Sequence, residues 1–514
     1  MSGRLHSGFV ASVRAHGQRP ALTLDGTTWS YAELELTARG WAKSLLAAVP
    51  SPRRIGLLAD RSVASYAGMV AILYTGAAVV PLNRKFPLAR TRVMIEMADL
   101  DAVLVDPSCA SLADRLFAGS RRIPVIGAGA AATAGPLADL IWPDADQDAY
   151  LLFTSGSTGH PKGVAITHAN VSHFLRVAAE RYQFSEHDRF SQNFEPNFDL
   201  ALFDVFMAWG SGGCLAPAGA GQLLSPLQVV REQAITVWFS APAVVAILRH
   251  RGRLPPGCLP SLRWSLFCGE PLPTASAQAW QRAAPRSELD NLYGPTEATI
   301  ACLAHRWDPD RSPGLSVNGI VPIGRPFPGT EARLFGEDGA PVDNGGVGEL
   351  CVTGPQVFGG YWRDPLRSAG ALFPAPDSSG RSATWYRTGD LAQRLGSGEY
   401  AFIGRRDFQV KVRGHRIELG EVQAALEAQE GVVQAVAFTV PGRVSDTSDL
   451  AAVVTGNGLD AGVLLDAVRR ELPGVMVPRS LHVIAELPLT INGKVDRAAI
   501  QARFGQPASA AAPD

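Results

Sequence analysis

Lysine is nearly missing from this chain of 514 residues: of 47 basic residues only five, Lys43, Lys85, Lys162, Lys411 and Lys494, are lysine, and the other 42 are arginine. Charge of either sign is also missing in excess, since 48 acidic residues bring the formal net charge to -1. That balance removes any electrostatic case for nucleic acid or an anionic membrane as the main partner. No run approaches the ~20 apolar residues of a membrane helix; the best stretches, such as 69–82, are broken by Gly or Pro. The first twenty residues place basic side chains around a few apolar ones without a hydrophobic stretch, which argues against a secretion signal and makes the cytoplasm the expected compartment. The six cysteines (109, 214, 258, 268, 302 and 351) lie far apart with no Cys-x-x-Cys pair. A zinc ribbon and a small disulfide framework are thereby excluded.

What is present is core-forming material. The chain is 46% apolar and 18% charged, and long enough for more than one domain, so global disorder is excluded. Short β-branched runs at 54–58, 78–82, 102–105, 124–126 and 150–154 alternate with helical patterns such as 63–74. This alternation predicts an α/β fold with stacked parallel sheets. Residues 128–146 are rich in Ala, Gly and Pro and read as a surface linker. Between about 323 and 404 short strands (332–335, 348–353, 391–394, 399–403) separated by Gly and Pro predict a β-rich subdomain. From about residue 408 a strand, a turn at Gly414, a helix over 420–428 and further alternation predict a small α+β domain; the tail 506–514 reads as disordered.

The scarcity of lysine makes each one a candidate for a site needing a slim, flexible point charge. Lys162 sits in LLFTSGSTGHPKGVAITHAN, residues 151–170. Its glycines admit backbone N–H groups close to a polyphosphate, its hydroxyls add donors and its lysine adds charge. It is not a Walker-type loop, because Pro161 and Gly163 flank the lysine and a strand (164–167) follows rather than a helix. Alone, the segment reads equally as a surface hairpin. Further segments follow in order: Phe198-Asp199-Leu200, NLYGPTE at 291–297, Gly348-Glu349-Leu350, Gly359-Gly360-Tyr361-Trp362, YRTGD at 386–390, GRRDFQVKVRGHRIE at 404–418 and LTINGKVDR at 489–497.

Together these resemble the motifs of the adenylate-forming superfamily of acyl-CoA synthetases, luciferases and nonribosomal-peptide adenylation domains, over roughly residues 10–500. The resemblance implies an adenylation core (1–406) and a mobile C-terminal domain (407–505), with Asp407 as the hinge between them. It implies that Thr154, Ser155, Gly156, Thr158 and Lys162 line an ATP phosphate loop, with Lys162 guiding pyrophosphate. Asn291 would bond the adenine amine, Tyr293 would stack on the ring and the backbone of Gly269-Glu270 would cover its edge. Thr296 would meet the α-phosphate, Glu297 would hold Mg²⁺, and Asp390 would accept the ribose hydroxyls with help from Arg405. Lys494 would enter the cleft to bridge the substrate carboxylate and α-phosphate, where negative charge gathers in the transition state. Thr154, Glu297 and Lys494 are thus the expected catalytic set. Taken singly, Glu297 reads as a surface carboxylate, Asp390 as a helix cap and Lys494 as a turn lysine. Gly414 would present backbone to a narrow tunnel for a pantetheine thiol, although any tight hairpin also uses glycine there.

At the position of Asp199, amino-acid activators of this superfamily keep an acid to pair with the substrate ammonium. A buried carboxylate needs such a partner; the competing reading is a helix N-cap for 200–209. The specificity positions Leu200, Phe203, Phe239, Leu266, Cys268, Leu292, Ile300 and Ala301 carry no charge, so a small apolar amino acid is expected. The surroundings of Asp199 and Cys268 resemble L-prolyl-AMP ligases and D-alanine–carrier protein ligases. Phe203 and Phe239 could embrace a pyrrolidine ring, which favours L-proline, with D- or L-alanine next. No phosphopantetheine-site or condensation motif follows Lys494, so a carrier protein acting in trans is expected to accept the acyl group. The alternatives are a CoA ligase for an acid without an amine and an inactive binding homologue.

Overall fold

The computed structural model describes residues 3–118, 123–129, 137–156, 161–218, 226–342, 345–406, 409–444, 446–488 and 495–505. Thr158, Asp407, Lys494 and the tail 506–514 lie outside them, as does part of the expected linker at 128–146. Among the described residues the strands form five sheets. The largest has nine strands in the order Arg325–Pro326, Leu303–Arg306, Glu288–Tyr293, Trp264–Phe267, Val237–Ser240, Arg189–Gln192, Cys214–Pro217, Pro20–Leu24 and Thr27–Ser30. Its centre is parallel and only its edge pairings are antiparallel. A six-stranded sheet runs Val125–Gly127, Ala102–Val105, Arg54–Ala59, Ala78–Asn83, Asp148–Thr154 and Lys162–Thr167, parallel except for the last pair.

Central parallel strands are covered on both faces, and the helices that cover them need apolar residues all round. Two helices meet that demand. Val63–Tyr74 and Asp199–Gly210 are buried along nearly their whole length, and both belong to a single apolar cluster that also includes residues of the two sheets. A polar bond also ties the first of these helices to the nine-stranded sheet, where Tyr66 donates to Gln192 Oε1 at 3.1 Å.

A five-stranded antiparallel sheet between Glu331 and Arg405 follows. The reading of a strand at 391–394 is corrected here: those residues end a thirteen-residue strand, Ser382–Arg394. Thr388 and Gly389 look like breakers in sequence, yet they form a bulge. Glu349 pairs with Leu391 while Cys351 pairs with Arg387, and Gly389 takes φ +74° to absorb the extra residues. The bulge re-aims Asp390 without ending the strand.

The C-terminal lobe has its own core. Val412, Ile417, Val422, Val454 and Val468 belong to one cluster under the strands Val432–Pro441, Ser448–Gly456 and Ser480–Val483. The helix Arg497–Phe504 is fastened to that sheet where Arg497 donates to Ala437 O and Gln501 to Thr439 O. No helix among the described residues is long and apolar enough to cross a membrane.

One core residue opposes the packing around it. Asp204 is fully buried, and neither carboxyl oxygen has a hydrogen-bond partner among the described residues. Burial pushes its carboxyl well above the usual carboxylate range, with only Arg61 opposing. The folded protein therefore keeps the proton that an unfolded chain releases above about pH 4, and stability falls as pH rises past that point. Asp204→Asn removes this loss: at pH 8 it stabilises by about 1–3 kcal/mol and at pH 4 by almost nothing, as denaturation at the two pH values will read.

Candidate active site

Parallel α/β sheets present their ligand crevice beyond the carboxyl ends of the strands. The cleft here obeys that rule. A cavity of about 110 Å³ is lined by Thr154 and Ser155 after Asp148–Thr154, Gly269 after Trp264–Phe267, and Gly294 to Thr296 after Glu288–Tyr293. Asp199 and Leu200 from the buried helix, Asp390 and Arg405 from the antiparallel sheet, and Lys411 and Gly414 from the C-terminal lobe complete it.

Lys162 stands across the hairpin from Thr154, the two being register partners at the ends of their strands. The surface-hairpin reading of this segment thus describes its backbone but not its burial, for Lys162 is only 7% exposed. Its ammonium lies 3.4 Å from Glu297 Oε1 and over the ring of Tyr361. Burial lowers its pKa, Arg416 adds to that, and Glu297 and Glu418 oppose it.

Glu297 is fully buried, which contradicts its reading as a surface carboxylate. Arg416 Nη1 donates to its Oε2 at 2.7 Å and Tyr361 donates to its Oε1 at 2.8 Å. Burial alone would raise its pKa, but Arg416 and Lys162 reverse that and hold it well below the usual carboxylate range. Thr154 lines the cavity, and its buried Oγ1 has no partner among the described residues.

Asn291 donates to Pro322 O at 2.9 Å and Val321 O at 3.3 Å, which fixes its amide and leaves its buried Oδ1 without a partner among the described residues. An acceptor so oriented suits an exocyclic amine. Asp390 sits on a strand, not at a helix end, which corrects the cap reading; it pairs in register with Arg405, whose guanidinium bonds it, and it accepts the Tyr293 hydroxyl.

Asp199 opens the helix Asp199–Gly210 as its first residue rather than as its cap, a place taken by Phe198. Its Oδ2 accepts the Ile300 N–H at 3.3 Å, made available by the left-handed backbone of Thr299 and Ile300. Burial pushes its carboxyl up to about 6, against the Thr296 hydroxyl and the Ile300 and Leu200 N–H groups. No basic side chain pairs with it among the described residues.

Leu200, Phe203, Phe239, Leu266, Cys268, Leu292, Ile300 and Ala301 are all buried and belong to the large apolar core of the N-terminal part. Burial also pushes the Cys268 thiol up to about 12. Of the eight, Leu200 alone lines the cavity. Phe203 and Phe239 do not flank a gap: their ring centres are 4.9 Å apart, edge to face, and Phe194 lies another 4.9 Å beyond Phe239. The two rings are thus packed directly against each other, with no gap between them.

Gly414 takes φ +81° and its N–H donates to Glu270 Oε1 at 2.7 Å, while Glu270 Oε2 accepts from Ala243 N–H at 3.1 Å. Glu270 therefore clasps the turn of the C-terminal lobe with its side chain. Gly269, at φ +94°, faces Gly414 so closely that a methyl group would come 3.7 Å from the Gly414 carbonyl. The sequence reading gave no contact role to Arg416, Tyr361, Glu418 or Glu421, and marked Lys411 only through the rarity of lysine. Arg416, Glu418, Tyr361 and Lys411 lay inside quoted motifs. Arg90, which bonds Glu421, carried no signal.

The sequence matches the family model described as AMP-binding enzyme over residues 9–362 and that of the AMP-binding enzyme C-terminal domain over 421–494. It is 33% identical to an L-proline–[L-prolyl-carrier protein] ligase of Pseudomonas fluorescens, across 96% of this chain and 98% of that one. It is also 32% identical to surfactin synthase subunit 2 of Bacillus subtilis and 32% identical to a probable nonribosomal peptide synthetase of Salinispora arenicola, but spans only 14% and 6% of their lengths. The fold superposes on a Vibrio cholerae adenylation domain in complex with glycyl-adenosine-5'-phosphate with a TM-score of 0.86, at 27% identity over 98% of both chains.

The contact of Arg416 with Glu297 crosses from one lobe to the other, and its loss leaves a buried carboxylate with one cation fewer. Arg416→Met should cost about 3–5 kcal/mol of lobe docking and enlarge the radius of gyration seen by small-angle scattering.

Proposed function

Because the chain belongs to the family of AMP-binding enzymes, the ATP-dependent AMP-forming ligases, we propose that it activates a small apolar amino acid and loads it onto the thiol of a carrier protein acting in trans. Asp199 carries this reading. A buried carboxylate at about 6 that no basic side chain among the described residues pairs is a seat for an ammonium, and an amino acid brings one. L-proline is the first choice, supported by the match along the whole Pseudomonas ligase, whose named substrate is L-proline. Alanine is next, favoured by the contact between Phe203 and Phe239, which leaves no slot between the two rings.

In the first half-reaction the substrate carboxylate attacks the α-phosphorus of ATP, the bond to the β,γ-pyrophosphate breaks, and an aminoacyl-AMP forms. Asn291 Oδ1 accepts from the adenine amine, Tyr293 stacks on the ring and Asp390 accepts the ribose hydroxyls. Thr154, Ser155, Gly156, Thr158 and Lys162 hold the phosphates, and Thr296 meets the α-phosphate. Lys494, outside the described residues, supplies the charge that brings carboxylate and phosphate together. Glu297 and the unpartnered Thr154 hydroxyl offer hard oxygen donors that fit Mg²⁺ once Arg416 has moved off the carboxylate. When bound, the metal neutralises charge on the phosphates. In the second half-reaction a pantetheine thiol enters past Gly269 and Gly414, attacks the acyl carbon and expels AMP, with Asp407 as the hinge between the two arrangements.

ATP–pyrophosphate exchange over the twenty amino acids and their D-forms tests the reading: proline or alanine should lead, and activity with amine-free acids alone would refute it. Asp199 must be ionised to pair with an ammonium, so kcat/KM for the amino acid should rise with pH through about 6. In Asp199→Asn that inflection should vanish and kcat/KM fall by at least about 100-fold. Lys494→Ala should slow exchange by about 100-fold or more while thermal unfolding stays unchanged.

A further inference from the structure

A thiol must shed its proton to become a strong nucleophile, and near neutral pH a free thiol is mostly protonated. A proton acceptor beside the thiol entrance would remove that obstacle, and the cavity wall offers few. The arginines and Lys411 on that wall are cations with no lone pair to give. Asp390 is bonded by Arg405 and by the Tyr293 hydroxyl, and Asp199 faces the substrate ammonium in the reading above. His415 is left. Its half-buried ring lines the cavity, and neither ring nitrogen has a hydrogen-bond partner among the described residues.

The ring is placed by its neighbours on both sides of the cleft. His415 follows Gly414, whose left-handed backbone turns the chain from the strand Gln409–Val412 into the strand His415–Glu418. Across the cleft it meets Phe198 edge to face, ring centres 4.8 Å apart, and Phe198 immediately precedes Asp199. The imidazole thus stands where the thiol entrance adjoins the seat for the ammonium, and the acyl carbon of an amino acid is bonded to the carbon that bears its amine. Burial lowers the pKa of His415, Glu195 opposes that, and Arg413 and Lys85 add to it. The ring is therefore neutral, and able to take a proton, at neutral pH. Glu195, paired with the Lys85 ammonium at 2.6 Å, is the acid among those neighbours and favours the imidazolium once it forms. Resting on the amino-acid-activating reading above, we propose that His415 is the general base for the pantetheine thiol. The S–H proton passes to a ring nitrogen, the sulfur electron pair forms the bond to the acyl carbon, and the bond from that carbon to the phosphate oxygen breaks. AMP leaves with the electrons of that bond, and the imidazolium releases its proton to water.

Transfer from the enzyme-bound adenylate to free pantetheine tests the assignment, followed in single turnovers of the full-length protein with the amino acid that leads exchange. With a base in place the wild-type rate should stay flat between about pH 7 and about pH 8. His415→Phe keeps an aromatic ring against Phe198 but takes no proton. Its transfer at about pH 7 should be slower by about 100-fold and should climb about tenfold per pH unit, following the free thiolate. A merely structural lesion would lower the rate without steepening that slope. Equal slopes in the two proteins overturn the proposal. A wild-type rate that itself climbs about tenfold per unit also overturns it, and that measurement needs no variant. In either case amino-acid-dependent exchange persists and the activating reading stands. Absence of exchange with every amino acid overturns both.

Discussion

A buried carboxylate must have a cation, and in this molecule that requirement organises the cleft. Glu297 lies fully inside the protein between the hairpin lysine, the guanidinium of Arg416 and the hydroxyl of Tyr361. Those three groups come from the six-stranded sheet, the C-terminal lobe and a connection between strands of the antiparallel sheet. A single negative charge therefore brings three regions of the chain to one point. Because Arg416 supplies one of the positive charges, the state of the carboxylate and the placement of the lobe are coupled. A divalent ion and a guanidinium are alternative answers to the same desolvation cost.

Asp199 presents the opposite case. It too is buried, but its neighbours are N–H groups and a hydroxyl, and Glu297 adds repulsion rather than relief. The protein thus holds two interior acids in different ways. One is satisfied by two cations and a hydroxyl, and the other is raised to about 6 with no basic side chain beside it among the described residues. Separated environments of this kind assign distinct tasks to chemically identical side chains.

Much of the fold was legible because local signals agreed with the tertiary outcome. The helix Val63–Tyr74 and the strand Ala102–Val105 occur at the residues that periodicity marks. The strand Ser382–Arg394 was legible only in part, since Thr-Gly-Asp looks like a stop when the partner strand that accommodates the bulge is not in view. At the site, ordered motifs located Thr154, Asn291, Glu297 and Asp390, but not what each touches. The bond between Arg416 and Glu297 joins residues 119 positions apart, and no local pattern encodes that meeting. The contact of Phe203 with Phe239 likewise depends on how a helix seats on a neighbouring strand. Identity of side chains was readable; the gap between them was not.

The ladder between Ser382–Arg394 and Tyr400–Arg405 has a consequence of its own. Asp390 and Arg405 are partners across it, and the next residue, Arg406, donates its N–H to Gly389 O at 2.9 Å. The rungs around Asp390 are thus also the last braced rungs before the chain passes into the smaller lobe. On the reading proposed above, a nucleotide resting on Asp390 would load the very rungs from which the smaller lobe is hung.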